Sequence, residues 1–123
     1  MGKEIAIKAG VVVQKAQLND SPTALKIWEA LPIEASAGTW GDEIYFGIPV
    51  DTELSEPKEL VEKGDLGYWD SGHAFCIFFG PTPVSEGDEI RPASAVDVVG
   101  KLMGEPEEFK QVSDGEKVTI EKA

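Results

Sequence analysis

The only histidine and the only cysteine of the chain, His73 and Cys76, stand three residues apart in the segment GDLGYWDSGHAFCIFFGPTP, residues 64–83. An imidazole and a thiol this close raise the question of a metal site or an activated nucleophile. An offset of three along a strand sends the two side chains to opposite faces, however, and zinc needs three or four converging nitrogen or sulfur ligands. Cys76 lies between Phe75 and Ile77, a setting for a small buried hydrophobe rather than a reactive thiolate. Asp70-Ser71-Gly72-His73 brings a hydroxyl near the imidazole, yet no nucleophile-elbow glycine pattern surrounds it, and Asp-Ser-Gly is ordinary turn chemistry. The segment is therefore read without a metal, a cofactor or a catalytic residue.

Its aromatic residues carry more. Tyr45, Phe46, Tyr68, Trp69, Phe75, Phe78 and Phe79 are mostly core material. Consecutive strand residues point to opposite faces, so Tyr45 and Phe46 cannot both turn inward, and Tyr68 and Trp69 must also divide. A ring that reaches the surface with a hydroxyl or indole N–H beside apolar area suits a small ligand, an extended peptide or another subunit. The expected ligand pocket comprises Tyr45, Phe46, Tyr68, His73, Phe75 and Arg91, the last being the only arginine. His73 and Arg91 would supply its polar contacts. Their plainer roles are a turn cap and a salt bridge in an acidic chain.

These residues must be positioned by a small fold. With 123 residues the chain is expected to form one domain over its whole length, and a lone cysteine allows no internal disulfide. Twenty-three acidic against eleven basic residues give a formal charge of -12, which repels phosphate backbones and anionic lipid and argues against nucleic-acid or membrane partners. The amino-terminal MGKEIAIKAG alternates charge and apolarity, unlike an export signal. A cytoplasmic location is expected.

Residues 4–8 and 11–18 read as strands joined in a hairpin at Ala9-Gly10. One helix is expected over 22–31. Asn19, Asp20 and Ser21 offer acceptors to its first N–H groups, Pro22 fits the first turn, Ala24, Leu25, Trp28 and Leu31 form the apolar stripe, and Pro32 stops it. Strands are expected over 40–50, with Ile44, Phe46 and Ile48 on one face, over 73–79, over 94–102 and over 117–121. Short helical turns are expected at 57–63 and 106–110. Phe75, Ile77 and Phe79 would share one face of the 73–79 strand with His73, and Ala74, Cys76 and Phe78 the other, so both faces need cover. Gly-Asp recurs at Gly41, Gly64 and Gly87, which reads as repeated turn chemistry before a strand rather than as a repeat. Many short strands and one real helix predict a mainly β fold, a small closed β-barrel, with an open sandwich as the alternative.

The succession NDSPTALKIWEALP, TWGDEIYFGIPV, GDLGYWDSGHAFCIFFGPTP, IRPASAVDVVGK and DGEKVTI resembles the small prokaryotic cyclophilin-like family, atypical relatives of the cyclophilins. The resemblance spans nearly the whole chain, and WGDEIYF, CIFFGPTP and PASAVDVVGK are its most specific pieces. It implies a cyclophilin-like β-barrel smaller than the standard one, with the helix covering one open end. Standard prolyl isomerases of this type use an arginine, within a Phe-His-Arg pattern after the first helix, to polarise the prolyl amide. This chain has no Lys or Arg between Lys26 and Lys58, and Arg91 lies in IRPAS, outside that pattern. No residue is carried over as catalytic, and neither His73 nor Trp40 matches a standard site motif. Three functions follow as expectations: a noncatalytic binding module for a small molecule or extended peptide segment, a weak or divergent peptidyl-prolyl isomerase, and a homo-oligomeric or partner-binding protein using the outer face of the Phe75 to Phe79 strand.

Overall fold

The structure, a computed structural model, describes residues 3–123. Strands β1 (Lys3–Ala9) and β2 (Val12–Leu18) form an antiparallel hairpin turned at Gly10. The helix α1 (Pro22–Ala30) follows, then β3 (Ile33–Ser36), β4 (Gly38–Thr39), β5 (Glu43–Gly47), β6 (Asp65–Trp69), β7 (Ala74–Phe78), β8 (Asp97–Leu102) and β9 (Lys117–Lys122). Single 3-10 segments occupy Asp70–Gly72 and Pro106–Gln111. One antiparallel sheet contains all nine strands in the order β3-β9-β1-β2-β8-β6-β7-β5-β4. Its two end strands, β3 and β4, are separated in the chain by Ala37 alone. That short link brings the sheet's opposite ends together, so the sheet curls into a nearly closed barrel.

Strand alternation fills the interior. Ile5, Ile7, Ile44, Phe46, Leu66, Tyr68, Phe75 and Ile77 all belong to one buried cluster. The Phe46 and Phe75 rings stack with centroids 5.4 Å apart. Tyr68, fully buried among them, donates from its hydroxyl to the Val50 carbonyl at 2.6 Å. Tyr68→Phe removes this bond with little change in volume, and we expect denaturant unfolding to show a loss of about 1 kcal/mol.

The helix starts and stops as its sequence dictates. Ser21, in extended conformation, accepts at its side chain from the Ala24 N–H, Pro22 occupies the first turn, and Leu31 before Pro32 leaves the helical region. Its buried face differs from the expected stripe. Thr23, Ala24 and Ile27 point into the barrel, whereas Leu25 is 48% exposed. The packed face is centred between positions 24 and 27, and Leu25 falls about 100° round the helix from Ala24. Trp28 stays half-buried under the ammonium groups of Lys3 and Lys122, 5.7 and 4.7 Å from the ring centroid.

Other expectations are corrected in detail. Residues 57–63 form no helix; Lys58 and Val61 make isolated bridges to Val96 and Ile90, because the segment lies flat over the sheet instead of coiling. The expected strands over 40–50 and 94–102 shorten to β5 and β8. His73 is not a strand residue. It caps the preceding 3-10 turn in the left-handed region at φ 48°, and β7 begins at Ala74. All five residues of β7 are buried. Phe75 and Ile77 face the barrel interior, while Cys76 and Phe78 join Val61, Ile90 and Val96 in a second cluster outside it. The outer face of this strand, expected as a surface for self-association, is thus covered by the chain's own 58–63 and 90–96 segments. Gly41, Gly64 and Gly87 all have positive φ, 60°, 91° and 63°, which accounts for the recurrent Gly-Asp as turn chemistry.

Candidate functional site

The outer cover over β5, β7 and β6 is incomplete, and the gap is where the chemistry lies. On this face the cross-strand rows read Glu43, Phe78; then Tyr45, Cys76, Gly67; then Gly47, Ala74, Trp69. Phe78 and Cys76 lie beneath the second cluster. Beside it lies a hollow of about 280 Å³, lined by Trp40, Glu43, Tyr45, Trp69 and Ala93.

Each wall has a seat in the backbone. Tyr45 is cross-strand from Gly38, and a Cβ built on Gly38 would lie 2.6 Å from Tyr45 Cζ, so only glycine lets the ring lie over β4. Trp69 rests likewise on Gly72, where a Cβ would lie 2.6 Å from Cζ3, and its Nε1–H donates to Ser94 Oγ at 2.6 Å. That bond holds the indole in place and occupies its donor. Trp40 closes a tight turn through Gly41, its backbone N–H donating to the Glu43 carbonyl at 2.9 Å. The 41–42 turn is pinned to the Gly80-Pro81 loop by Asp42 N–H to the Pro81 carbonyl and Phe79 N–H to the Asp42 carbonyl, both 3.0 Å.

Glu43 is the one ionisable acid in this lining, and it is only 6% exposed. Burial pushes its carboxyl from an ordinary 4.5 up to about 7, against the opposing pull of a hydrogen bond from the Cys76 thiol. Cys76 is in turn pushed well above its ordinary value, first by burial and then by the neighbouring Glu43 charge. The thiol therefore stays protonated and acts as a donor.

The six residues expected to share a pocket do not do so. Phe46, Tyr68 and Phe75 face the barrel interior. Tyr45 alone lines the hollow. His73 sits beyond the start of β7, with Nε2 3.2 Å from Asp51 Oδ1. Arg91 turns to acids, Nε lying 2.9 Å from Glu89 Oε2 and one terminal nitrogen 4.0 Å from Glu59 Oε1. Its neighbouring depression shares Ala93 with the hollow. Trp40, Glu43, Trp69 and Ala93 were not among the expected residues. The signal for two of them was present: Glu43 is two residues from Tyr45 and shares its face, and Trp69 follows the inward Tyr68.

Wider depressions exist, and in each of two a central charged group is already engaged. One of about 650 Å³ over β3 and β9 is lined by Lys8, Glu34, Lys117 and Glu121 among others, with Lys117 paired to Glu34. Another, of about 610 Å³ beside the start of α1, includes Asp97. Its carboxylate accepts from Thr23 Oγ1 at 2.6 Å and from the Ser55 and Glu56 N–H groups at 2.9 Å each.

Comparison with known proteins agrees with this architecture. Among curated proteins, none matches the sequence. The solution structure of a hypothetical protein from Archaeoglobus fulgidus is 41% identical, with a TM-score of 0.84, covering 99% of this chain and 95% of that one. The sequence model of the cyclophilin-like proteins matches residues 3–121. A nine-stranded barrel capped by one helix, a match along almost the full chain and a relative of this identity place the protein in one group: it belongs to the cyclophilin-like family, among its small prokaryotic members.

Proposed function

We propose that the protein is a noncatalytic binding module whose ligand, a small molecule or an extended peptide segment, enters the hollow between Trp40, Tyr45 and Trp69. One observation carries this reading: two of the three rings rest on glycines that admit no side chain, so the cavity is preformed rather than assembled around a ligand. Stabilising a twisted prolyl amide calls for a cation or a convergent donor at the amide. The lining offers a carboxyl and no cation, which favours binding over isomerisation. The acidic composition with one buried thiol suits a reducing cytoplasm.

The test follows the three indole N–H signals of the isotope-labelled protein while small neutral and cationic organic probes and a proline-containing tetrapeptide are added. Trp40 and Trp69 are expected to shift and Trp28, on the helix, to stay. Gly72→Ala should displace the Trp69 ring and weaken binding by about tenfold or more, with the far-ultraviolet spectrum retained. Absence of any shift at Trp40 and Trp69 across the whole set would remove the reading. Exchange between cis and trans tetrapeptide faster than background would replace it with isomerase activity.

A further inference from the structure

The ligand's chemistry can be narrowed further, on the reading just given that the hollow is a binding site. Three of its five lining residues carry aromatic rings, and the face of an indole or phenol carries negative electrostatic potential that attracts a cation. The Trp69 donor is already committed to Ser94, so that side of the hollow offers a neutral ligand no indole hydrogen bond. The one charged group in the lining is an anion. Among the described residues, no Lys, Arg or His forms an ion pair with Glu43.

A carboxylate buried among aromatic rings without a counter-ion is an unfavourable arrangement in a fold that pairs its other buried carboxylates well. Asp65 has Lys101 and the Glu62 N–H, and Asp97 has its Thr23, Ser55 and Glu56 donors. A neutral occupant would leave Glu43 as it is, whereas a cation would complete the site. The lining offers few acceptors beyond Glu43, so a cation clothed in methyl groups loses less on leaving water than a bare ammonium does. The volume, at the lower end for ligand pockets, suits a head group rather than a large cofactor.

We propose that the hollow binds an alkylated ammonium group, with the faces of Trp40, Tyr45 and Trp69 as its cage and Glu43 as its counter-ion. The group belongs either to a free quaternary amine or to a methylated lysine side chain.

Binding must then be linked to the protonation of Glu43. The groups facing that carboxyl are the Cys76 thiol from β7, which stays protonated, and Tyr45 on its own strand. Trp69 and Ala93 bring no charge, and the adjacent Asp42 side chain packs toward Gly80. A cation binds the ionised form, so affinity rises with pH through the range in which Glu43 loses its proton.

The test is calorimetry on the full chain with choline, with its neutral carbon isostere 3,3-dimethylbutan-1-ol, and with paired peptides carrying lysine or trimethyllysine. Choline or the trimethyllysine peptide should bind at least about tenfold more tightly than its uncharged or unmethylated counterpart. That advantage should vanish in Glu43→Gln and, in the unaltered protein, shrink about tenfold between pH 8 and pH 6. The pH series needs no variant and stands even if Glu43→Gln perturbs the fold. Tighter binding by choline assigns a small-molecule source, and tighter binding by the peptide a modified protein. Equal affinity for choline and the neutral alcohol would overturn the cation assignment while leaving the binding site intact. Silence from every probe at both Trp40 and Trp69 would overturn both.

Discussion

Replacing Asp97 with alanine is expected to lower the free energy of unfolding by about 3–5 kcal/mol at neutral pH, the largest loss we anticipate from one side chain outside the barrel interior. Asp97 is 2% exposed and begins β8. Its two oxygens accept from Thr23 Oγ1 on α1 and from the backbone of Ser55 and Glu56 in the segment that leads over the sheet. One carboxylate therefore ties together the helix, the strand and the covering loop. Alanine would leave those donors facing a void, and each unsatisfied buried group costs about 1–3 kcal/mol. Burial by itself would raise the Asp97 pKa, but these hydrogen bonds outweigh it and hold the group below its ordinary 3.8. A folded-state value below the unfolded one means that the contribution is complete above about pH 4 and fades as pH falls through the folded value. Chemical denaturation at pH 7 and at pH 3 checks both parts. A loss below about 1 kcal/mol at pH 7 would show that the donors find other partners.

Glu43→Gln has the opposite expected sign: greater stability in alkaline buffer. The Glu43 carboxyl is raised from 4.5 to about 7, so between these values the folded state holds a proton that the unfolded state has released. Stability contributed by this group is therefore highest below about pH 4.5, declines as pH rises, and levels off above about pH 7. The full penalty is about 3 kcal/mol at 1.36 kcal/mol per pH unit. Glutamine matches the shape of the neutral acid and carries no charge at any pH. Its variant should exceed the parent by about 2–3 kcal/mol at pH 8 and match it near pH 4.5. The net charge of -12 also changes stability with pH, so the comparison is between the two proteins at each pH. Parallel stability curves for the two would mean that Glu43 is ionised freely in the fold. A stabilising change in the lining of the hollow is the pattern expected if the proposed site is kept at the expense of stability.

The barrel was legible from residue order alone. Alternation grouped Ile44, Phe46 and Ile48 on one face, and Phe75 and Ile77 on another, and these residues do share the barrel's buried cluster, since a strand has only two faces. Ser21-Pro22 and Leu31-Pro32 bounded the helix because capping and proline sterics act within a few residues. The motif resemblance named the family that the full-length match bears out. Less local features were lost. The 57–63 segment has the composition of a short helix, yet its bridges go from Lys58 to Val96 and from Val61 to Ile90, and no local rule reports such distant partners. Leu25 and Ile27 are equally apolar, and only the docking angle of the helix on the barrel decides which is buried.

The site shows the same division more sharply. That Tyr45 and Phe46 take opposite faces followed from strand period, but grouping Phe46, Tyr68 and Phe75 with Tyr45, His73 and Arg91 mixed the barrel's inside with its outside. What the sequence by itself determined was the curled sheet, its one main helix and the division of neighbouring aromatic rings between opposite faces, because these depend on period and on short-range sterics. Which outward rings line one hollow, and that Glu43 is buried beside them, was decided only by the tertiary fold, in which Ala93 of the 90–96 segment completes the lining. Desolvation is a property of everything within a few ångströms, and the groups around Glu43 come from positions 40, 45, 69, 76 and 93.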